Sequence, residues 1–441
     1  MRLFGTDGIR GIAGEALTEE LARRVGIAVG EMLRSERLPA RVVVGYDTRE
    51  SSAPLCDALC AGLTEAGCDA LRVGVAPTPA IAYLTTRLGA GAGAVISASH
   101  NPWEYNGIKV FGHDGKKLTD DREERLEAVI LSDVPDRRAQ PGKIIDSRDA
   151  LELYVSYLLR ASGASLGGLR LGVDLANGAT VATAIRTLEA AGAECIPLSD
   201  APSGRNINDG CGSTHVEALA RKVTALGLDC GIAFDGDGDR LIAVDEAGRE
   251  VNGDRILGII APALAASGKL KRRTVVGTVM TNPGLTSYLE VLGITTVRAK
   301  VGDRYVSEMM DELDSDLGGE SSGHIIFREL MTTGDGLLTA LILLRTVRES
   351  GLSLSELADL VPVMPEITVN LPADEEKRSR LKGCSAISDK VKEYGLLLGN
   401  KGRAIVRASG TEPCIRVSVS AETEELTGRI CTELVRMVEE L

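Results

Sequence analysis

Aromatic residues and long apolar segments are scarce in this 441-residue sequence. Phe, Trp and Tyr make up 3% of it while hydrophobic residues make up 44%, so the cores must consist of aliphatic side chains, as is typical of α/β layers. No segment reaches the roughly 20 apolar residues of a membrane-spanning helix, and the first residues lack the basic and apolar regions of a signal peptide. We therefore expect a cytoplasmic protein of three or four domains, since a domain holds about 100–200 residues.

Paired cysteines and an excess of positive charge are also missing. The nine cysteines are an odd number, they are scattered, and no two form a Cys-x-x-Cys pair. We therefore interpret them as reduced, mostly buried residues and not as a disulfide or zinc framework. Lys and Arg number 50 against 63 Asp and Glu, a net charge of -13, which argues against binding nucleic acid or an anionic membrane through overall charge. Any anionic ligand must therefore meet a local basic site.

The order of predicted elements indicates an α/β protein. A strand-like segment, a polar turn and a helical segment follow one another in three places, beginning at residues 41, 169 and 274. We therefore predict three similar mixed α/β domains in tandem and a smaller C-terminal α+β domain. Polar breaks that contain Pro or charged residues place the boundaries, at residues 132–143, 246–253 and 362–372. The predicted domains are residues 1–150, 151–250, 251–365 and 366–441.

Three aspartates alternate in a glycine-loosened turn between two strand-like segments: Asp235, Asp237 and Asp239. Carboxylate oxygens on one side of such a turn suit a hard divalent cation, so we predict a Mg²⁺ site. An EF-hand calcium loop is one alternative, because Glu246 stands at its twelfth position. Arg240 stands where that loop requires glycine, and strands rather than helices flank the turn, which argues against it. A solvated acidic turn is the other alternative.

Ser99 is the predicted nucleophile. It stands in the string Ser-Ala-Ser-His-Asn-Pro, residues 97–102, after a strand-like segment, and a hydroxyl in a tight polar turn can carry a phosphoryl group. The loop of three aspartates can hold the cation that phosphoryl chemistry needs, so the two motifs together would supply nucleophile and metal. Alone, the string could be an ordinary turn with Ser, Asn and Pro in their usual places. No Gly-x-Ser-x-Gly elbow and no spacing typical of a Ser-His-Asp hydrolase accompany it.

Two further polar strings have the composition of ligand-binding loops. Residues 407–413, Arg-Ala-Ser-Gly-Thr-Glu-Pro, followed by Arg416, combine hydroxyls, backbone amides and arginines that could hold a phosphate monoester, although a polar hairpin loop is the alternative. In residues 318–324, Gly-Gly-Glu-Ser-Ser-Gly-His, Glu320 and Ser322 could hydrogen-bond to sugar hydroxyls. No nucleotide P-loop, dinucleotide fingerprint or HExxH zinc motif is present.

In their order along the chain, at residues 97–102, 235–240, 318–324 and 407–413, these four motifs resemble those of the α-D-phosphohexomutase superfamily. The resemblance extends from residue 4 to residue 416 and so covers nearly the whole chain. Three longer strings, at residues 4–11, 206–214 and 299–305, look like the bacterial members that act on an aminosugar phosphate. The resemblance implies four domains around a central cleft, with the fourth closing over the substrate.

The resemblance also implies roles for individual residues. Resting Ser99 would be a phosphoserine whose phosphate joins the three aspartates on one Mg²⁺ ion per active site. The catalytic candidates are Ser99, His100, Lys109 and Arg10. Lys109 is the first candidate for proton transfer, and Arg240 would lie near the transferring phosphate. Sugar contacts would come from Glu320, Ser322 and His324. The non-reacting phosphate would be bound by Arg407, Ser409, Gly410, Thr411 and Arg416.

The implied reaction interconverts glucosamine 6-phosphate and glucosamine 1-phosphate, with glucosamine or glucose 1,6-bisphosphate as intermediate or activator. Its product would supply UDP-N-acetylglucosamine and cell-wall synthesis. Asp303 stands where members acting on mannose or glucose phosphates often have His, and Ser321 stands where aminosugar mutases more often have Gln or Asn. The same chemistry on mannose or glucose phosphates is therefore an alternative, and a calcium-binding module is an alternative of another class. The partner would be a small sugar phosphate, with no nucleic acid or membrane, and a homodimer is compatible with the sequence.

Overall fold

The computed structural model describes residues 3–5, 7–132, 140–409 and 414–441. Its internal contacts divide the chain into two compact units. The first unit is Met1–Val279 with Val297–Ala358, and the second is Met280–Thr296 with Asp359–Leu441. Across the described residues the strands form four sheets, which follow one another along the chain.

The first sheet is a mixed sheet covered by helices. Its strands are β1 (Phe4–Gly5), β2 (Gly8–Ile12), β3 (Arg41–Tyr46), β4 (Asp69–Val75), β5 (Ala92–Ile96), β6 (Tyr105–Gly112) and β7 (Ile144–Asp146). The helices are α1 (Glu19–Ser35), α2 (Ser52–Glu65), α3 (Thr78–Arg87) and α4 (Asp120–Leu131). The strand order is β1-β2-β6-β5-β3-β4-β7. Val42, Val43 and Val44 of β3 are all buried, because a parallel strand inside such a sheet is covered on both faces.

The second sheet contains the aspartate motif in one of its turns. Its strands are β8 (Arg170–Asp174), β9 (Glu194–Leu198), β10 (Cys230–Phe234), β11 (Leu241–Asp245) and β12 (Glu250–Val251), in the order β12-β11-β10-β8-β9. The helices are α5 (Leu151–Ser162), α6 (Ala184–Ala190) and α7 (Glu217–Leu226). β10 and β11 are antiparallel with Phe234 opposite Leu241, so residues 235–240 form the turn between them. Strands flank the motif as predicted, which excludes the helix-flanked EF-hand.

The third sheet is smaller. Its strands are β13 (Thr274–Thr278), β14 (Thr295–Ala299), β15 (Leu317–Gly319) and β16 (Ile325–Phe327), in the order β14-β13-β15-β16. The helices are α8 (Gly253–Ala266), α9 (Pro283–Val291), α10 (Asp303–Leu313), α11 (Gly336–Ser350) and α12 (Leu354–Asp359). β13 and β15 are parallel, and β15 and β16 are antiparallel.

One plan is common to these three sheets. In each, a parallel strand pair is extended by an antiparallel hairpin, namely β5–β6, β10–β11 and β15–β16. Each hairpin leaves the carboxyl end of a parallel strand, which is the edge of the sheet where α/β proteins bind ligands. The three turns are residues 97–104, 235–240 and 320–324, and they contain three of the four predicted motifs. The repeated plan confirms the predicted class of three similar mixed α/β layers.

The second unit is an α+β structure, as predicted for the C-terminal part. Its strands are β17 (Glu366–Pro372), β18 (Arg403–Ala408) and β19 (Cys414–Ser420), which are antiparallel in the order β17-β19-β18. The helices are α13 (Glu375–Gly383), α14 (Ser385–Leu398) and α15 (Glu424–Glu439). Asn282 donates to the carbonyl of Met364 at 3.0 Å, so residues 280–296, which include α9, pack in this unit although they fall within the predicted domain 251–365.

The structure shows the state of the cysteines and the length and apolarity of the helices. All nine cysteines lie in the described residues and are free, and all but Cys195 and Cys384 are buried. Among the helices that the structure describes, none is both long enough and apolar enough to cross a membrane.

Candidate active site

The aspartate turn between β10 and β11 is buried in the first unit. Asp235, Asp237 and Asp239 are 1%, 0% and 4% exposed, and one oxygen of each lies within 4.8 Å of the others. Burial, together with the charges of Asp239 and Asp237, raises the pKa of Asp235 well above its usual range. Oδ1 of Asp237 and Oδ1 of Asp239 are buried without a hydrogen-bond partner among the described residues. Because three carboxylates converge and Oδ1 of Asp237 has no partner, the triad fits a hard divalent cation, which prefers such oxygen ligands.

Backbone geometry explains why the turn contains two glycines. Gly238 has φ +73°, a left-handed conformation that favours glycine, and its N–H donates to Oδ1 of Asp235 at 3.1 Å. A Cβ atom on Gly236 would lie 2.6 Å from the carbonyl oxygen of Ser99. A side chain at position 236 would block this contact, so glycine is needed there for the aspartate turn to lie against the backbone of the serine turn.

Ser99 lies directly against the aspartates. Its Oγ donates to Oδ2 of Asp235 at 2.6 Å, and the residue is 1% exposed. Its N–H donates to Oγ of Ser97 at 3.0 Å, and its backbone is left-handed, with φ 54°. The structure thus brings the proposed nucleophile and the proposed metal ligands together, from turns of two different sheets.

Lys109 of β6 supplies a buried positive charge beside the triad. Its Nζ lies 2.8 Å from Oδ2 of Asp237, 3.0 Å from Oδ2 of Asp7 and 3.4 Å from Oδ2 of Asp239. Burial alone lowers the pKa of this lysine, but the carboxylates of Asp237 and Asp7 raise it well above the usual value. Lys109 is therefore an ammonium group that stabilises negative charge.

His100 lies beside the hydroxyl of Ser99, and the charges of Arg10 and Arg240 act on His100. Nδ1 of His100 lies 3.4 Å from Oγ of Ser99. Burial, with the charges of Arg240 and Arg10, lowers the pKa of His100 to about 4, so its ring is neutral near pH 7. The Nε atoms of Arg10 and Arg240 are buried without hydrogen-bond partners in the described part of the chain. Arg10 therefore keeps a donor for an anionic ligand, whereas Nε of Arg240 lies 3.8 Å from Oδ1 of Asp239.

The turn between β15 and β16 brings His324 to the triad. Its Nδ1 lies 3.6 Å from Oδ1 of Asp239, and its Nε2 accepts a hydrogen bond from the N–H of Gly334 at 3.1 Å. Glu320 and Ser322 of the same turn are partly exposed, and Oε1 of Glu320 accepts from the N–H of Gly302 at 3.0 Å. His324 thus contacts a predicted metal ligand, whereas Glu320 and Ser322 remain accessible to a ligand.

Three charged residues without a role predicted from the sequence form ion pairs around the site: Asp7, Lys117 and Asp303. Asp7 forms close ion pairs with Arg10 and Lys117 in addition to its contact with Lys109. Nζ of Lys117 lies 2.6 Å from Oδ2 of Asp303. Burial raises the pKa of Asp7, but the charges of Lys109 and Lys117 lower it well below its usual range. Asp7 and Asp303 lie in two of the strings that carry the family resemblance, whereas Lys117 had no sequence signal.

Thr78, at the start of α3, was also missed. Its Oγ1 donates to Oδ2 of Asp237 at 2.6 Å, and its N–H donates to the carbonyl of Asp237 at 2.8 Å. The side chain is 0% exposed, so this contact orients one predicted metal ligand through both its carboxylate and its backbone. No motif marks this threonine, because its partner is 159 positions away in the chain.

The predicted phosphate loop belongs to the second unit. Arg407 of β18 stands opposite Arg416 of β19, and like charges in such a position repel unless an anion or another partner balances them. Nε of Arg416 donates to Oδ1 of Asn370 at 2.7 Å, while Nε of Arg407 is buried without a partner in the residues described. Ser409 is buried at the end of β18, and Gly410 and Thr411 lie outside the described residues.

Comparison with known families covers nearly the entire chain. Four phosphoglucomutase/phosphomannomutase profiles match, for α/β/α domain I at residues 1–135, domain II at 152–248, domain III at 252–364 and the C-terminal domain at 369–437. The phosphoglucosamine mutase of Desulforudis audaxviator is 46% identical over 444 residues, which cover 100% of this chain and 98% of the relative. That of Acetivibrio thermocellus is 44% identical over 445 residues, which cover 100% and 99%.

Solved structures share the fold. A phosphoglucomutase/phosphomannomutase family protein from Burkholderia thailandensis superimposes with a TM-score of 0.84 at 26% identity, covering 99% of this chain and 96% of that one. The N-acetylphosphoglucosamine mutase of Aspergillus fumigatus, in complex with GlcNAc-6P and magnesium, superimposes with a TM-score of 0.73 at 18% identity, covering 99% and 95%.

Proposed function

The chain belongs to the phosphoglucomutase/phosphomannomutase family, and from this premise we propose that it interconverts glucosamine 6-phosphate and glucosamine 1-phosphate. It is a phosphohexomutase, and hence an isomerase. The observation that carries the proposal is the 2.6 Å contact between Oγ of Ser99 and Oδ2 of Asp235, inside a buried group of three aspartates. Glucosamine is favoured over mannose or glucose because the curated relatives are named for an aminosugar phosphate.

The proposed reaction consists of two phosphoryl transfers. In the first, the bond between phosphorus and Oγ of phosphorylated Ser99 breaks while a bond forms to O1 of glucosamine 6-phosphate; O1 loses its proton and Oγ gains one, which gives the 1,6-bisphosphate and a free serine hydroxyl. In the second, after the bisphosphate has turned over in the site, Oγ of Ser99 loses its proton and attacks the 6-phosphate, and O6 leaves and takes up a proton to give glucosamine 1-phosphate. Phosphoserine is restored, so each turnover begins and ends with the same form of the protein.

Charge stabilisation would come from the groups around Ser99. Asp235, Asp237 and Asp239, with a phosphate oxygen on Ser99, would hold Mg²⁺, which neutralises negative charge on the transferring group when bound. The Nε donor of Arg10 is suited to the phosphoryl oxygens, and Arg240, paired with Asp239, would add a second positive charge.

Proton transfer is assigned differently from the sequence-based expectation. Lys109 was the first candidate, but its raised pKa keeps it protonated, so we propose that it stabilises charge and does not act as a base. His100 is neutral near pH 7, and its Nδ1 is 3.4 Å from Oγ of Ser99. Its neutral ring can therefore accept a hydrogen bond from that hydroxyl, although a pKa of about 4 makes it a weak base.

Substrate binding is proposed for the two remaining motifs. A phosphate dianion beside Arg407 would give its buried Nε an acceptor, and Arg416 stands opposite Arg407 in the sheet, where a second positive charge would favour the same anion. Ser409, Gly410 and Thr411 would complete that site, as the family resemblance implies. Glu320 and Ser322 would contact sugar hydroxyls.

The Ser99→Ala variant tests the proposed nucleophile. We expect it to fold normally and to lose nearly all turnover, because it lacks the hydroxyl that contacts Asp235, and the other hydroxyl against the triad, that of Thr78, bonds to Asp237 from the start of α3. Intact mass before and after phosphatase treatment should show one phosphoryl group on the wild type and none on the variant. Retention of more than about a tenth of the wild-type rate would disprove the phosphoserine mechanism.

The substrate is tested by assaying the 6-phosphates of glucosamine, glucose and mannose side by side, each with a hexose 1,6-bisphosphate as activator. The highest kcat/KM is expected for glucosamine 6-phosphate. A higher value for mannose or glucose 6-phosphate would instead support the alternative within the same family.

The cytoplasmic location and the homodimer stay predictions from the sequence. Fractionation of cells tests the first, and sedimentation of the purified chain tests the second.

A further inference from the structure

The backbone of Ser99 has a conformation that serine rarely adopts. Its φ of 54° lies in the left-handed region, where a side chain crowds the backbone, and such strain persists only where surrounding contacts enforce it. Two side chains of the first unit donate to the same pair of carbonyl groups, those of Ser99 and Asn101: Arg49 and Asn208.

Arg49 approaches from the loop after β3. Its Nη2 donates to the carbonyl of Ser99 at 3.1 Å and to that of Asn101 at 2.6 Å. The guanidinium is fully buried and forms a close ion pair with Asp47, so its charge is compensated and its orientation is set. Oδ1 of Asp47 is itself held by Oγ of Ser52 at 2.6 Å. These contacts fix the guanidinium of Arg49 in the position from which it donates to both carbonyls of the serine turn.

Asn208 lies in the segment between β9 of the second sheet and α7. Its Nδ2 donates to the carbonyl of Ser99 at 2.9 Å and to that of Asn101 at 3.1 Å. Its own N–H donates to the carbonyl of Ala176 at 3.0 Å, which anchors it. A Cβ atom on Gly236 would lie 2.9 Å from Nδ2 of Asn208, so the aspartate turn packs on this same contact.

We propose that Arg49 and Asn208 are positioning residues that hold Ser99 in its left-handed conformation and thereby direct its Oγ toward the aspartate triad. Both act through the carbonyls of Ser99 and Asn101. The kinetic consequence rests on the proposed function, whereas the conformational consequence does not. The experiment therefore has one conformational measurement, hydrogen exchange, and one kinetic measurement, turnover.

Hydrogen exchange measures the conformational consequence. In the wild type the N–H of Ser99 is bonded to Oγ of Ser97 at 3.0 Å, and the N–H of Asn101 is bonded to the carbonyl of Ala98 at 3.1 Å. In Asn208→Ala, exchange of a peptide covering residues 97–106 should accelerate about tenfold, because the turn opens more often. Unchanged exchange would overturn the proposal, even if the chain turned out to act on no hexose phosphate.

Asn177→Ala is the matched control. Nδ2 of Asn177 donates at 3.2 Å to the carbonyl of Asn206, and not to the serine turn. Its side chain also donates to Sγ of Cys211 at 3.8 Å and accepts from the N–H of Ala201 at 3.2 Å, and its φ of 48° is left-handed like the 58° of Asn208. Asn177→Ala therefore costs at least as many local hydrogen bonds and a similar backbone strain, but exchange of residues 97–106 and turnover should stay close to wild type.

Turnover measures the kinetic consequence. In Asn208→Ala, kcat for glucosamine 6-phosphate should fall about 10–100-fold with KM within about twofold, because a misdirected hydroxyl slows transfer without weakening binding. In Asn208→Asp, kcat should fall at least as far, because the side chain keeps its volume but places a carboxylate oxygen against the two carbonyl oxygens. A volume-filling role predicts instead that Asn208→Asp restores kcat. Such a rescue, or a rise in KM at unchanged kcat, would overturn the positioning role, whereas absence of wild-type turnover would contradict only the proposed function.

Discussion

At the scale of single residues, the aspartate triad is the feature most open to test. Replacing Asp237 by Asn removes a charge and makes a poorer ligand for a hard cation. We expect the Mg²⁺ concentration for half-maximal activity to rise at least about tenfold. The measurement is the activation curve of turnover against Mg²⁺. Asp245→Asn is the control, because Asp245 is equally buried in the same hairpin but caps the turn after β11.

A calcium arm of the same assay separates a mutase from a calcium-binding module. Ca²⁺ is larger and accepts looser geometry, so replacing Mg²⁺ by Ca²⁺ should leave metal binding but reduce turnover.

If the Mg²⁺ activation curve of Asp237→Asn matched that of the wild type, the assignment of the aspartates as metal ligands would be wrong.

His100 should make the stability of the fold depend on pH. Its pKa in the folded chain is about 4, lowered by burial and by the charges of Arg240 and Arg10, whereas an unfolded histidine titrates near 6.5. Between about pH 4 and 6.5 the unfolded chain binds a proton that the folded chain does not, so the free energy of unfolding falls as pH falls through this window. Above about pH 6.5 this contribution is constant.

The variant His100→Gln should remove that dependence. The slope of the free energy of unfolding between pH 4.5 and 6 should decrease by about 1 kcal/mol per pH unit, as measured by urea denaturation. His113→Gln, at an exposed position, serves as the control and should keep the wild-type slope. Equal slopes in all three proteins would show that His100 is not held neutral by the fold.

At the scale of elements, the hairpin turns support one another. The N–H of Leu241, at the start of β11, donates to the carbonyl of Gly323 at 3.0 Å, so the turn between β15 and β16 is tied to the end of the aspartate turn. Gly323 has φ +89°, and a Cβ atom there would lie 2.0 Å from the carbonyl oxygen of Leu241. Backbone cannot move aside as a flexible side chain can.

Gly323→Ala should therefore destabilise the protein by about 2–4 kcal/mol and lower its turnover. Gly351→Ala is a matched control, because Gly351 also has positive φ, +71°, but has open space around it. It should cost only about 1–2 kcal/mol, the strain of the backbone. Denaturation midpoints of the two variants provide the comparison, and similar losses would refute the close approach of the two turns.

The predicted strands were most accurate where the apolar run was continuous. The strand expected from residue 41 is β3, with Val42 to Val44 buried, and the polar residues after it form a loop. The assignment of residues 280–296 to the C-terminal unit was not foreseeable, because it depends on contacts such as that between Asn282 and Met364, 82 positions apart.

At the scale of the whole molecule, a mutase must bind the phosphate that is not reacting in both orientations of its substrate. If Arg407 and Arg416 form the one site for that phosphate, replacing either by Ala should weaken binding of glucosamine 6-phosphate and glucosamine 1-phosphate alike. The loss should be roughly 10–150-fold, since a charge-assisted hydrogen bond contributes about 1.5–3 kcal/mol. Calorimetric titration of both ligands measures it.

Arg429→Ala provides the comparison, because Arg429 is an exposed arginine on α15 of the same unit. It should leave both affinities unchanged. Weakened binding of only one monophosphate in the Arg407 and Arg416 variants would mean that each orientation has its own phosphate site.

The sequence by itself determined the fold class and the local chemistry of each turn. Apolar runs and the polar turns after them report burial and chain reversal over a few residues, so the α/β layers and the motif turns could be located. The identities of Ser99 and the three aspartates are likewise local information, since the spacing of ligands within one loop is visible in the chain.

Only the tertiary structure decided which distant groups meet at those turns. Ser99 and Asp235 are 136 positions apart, and Asn208 reaches the carbonyl of Ser99 from 109 positions away. Lys117 and Thr78 lie in no motif, and Asp7 lies in a string of the family resemblance that gave it no role, so the importance of all three follows from their contacts. The physical reason is that periodicity reports which face of an element is buried, whereas the strand order and packing of three separate sheets set which loops face one another.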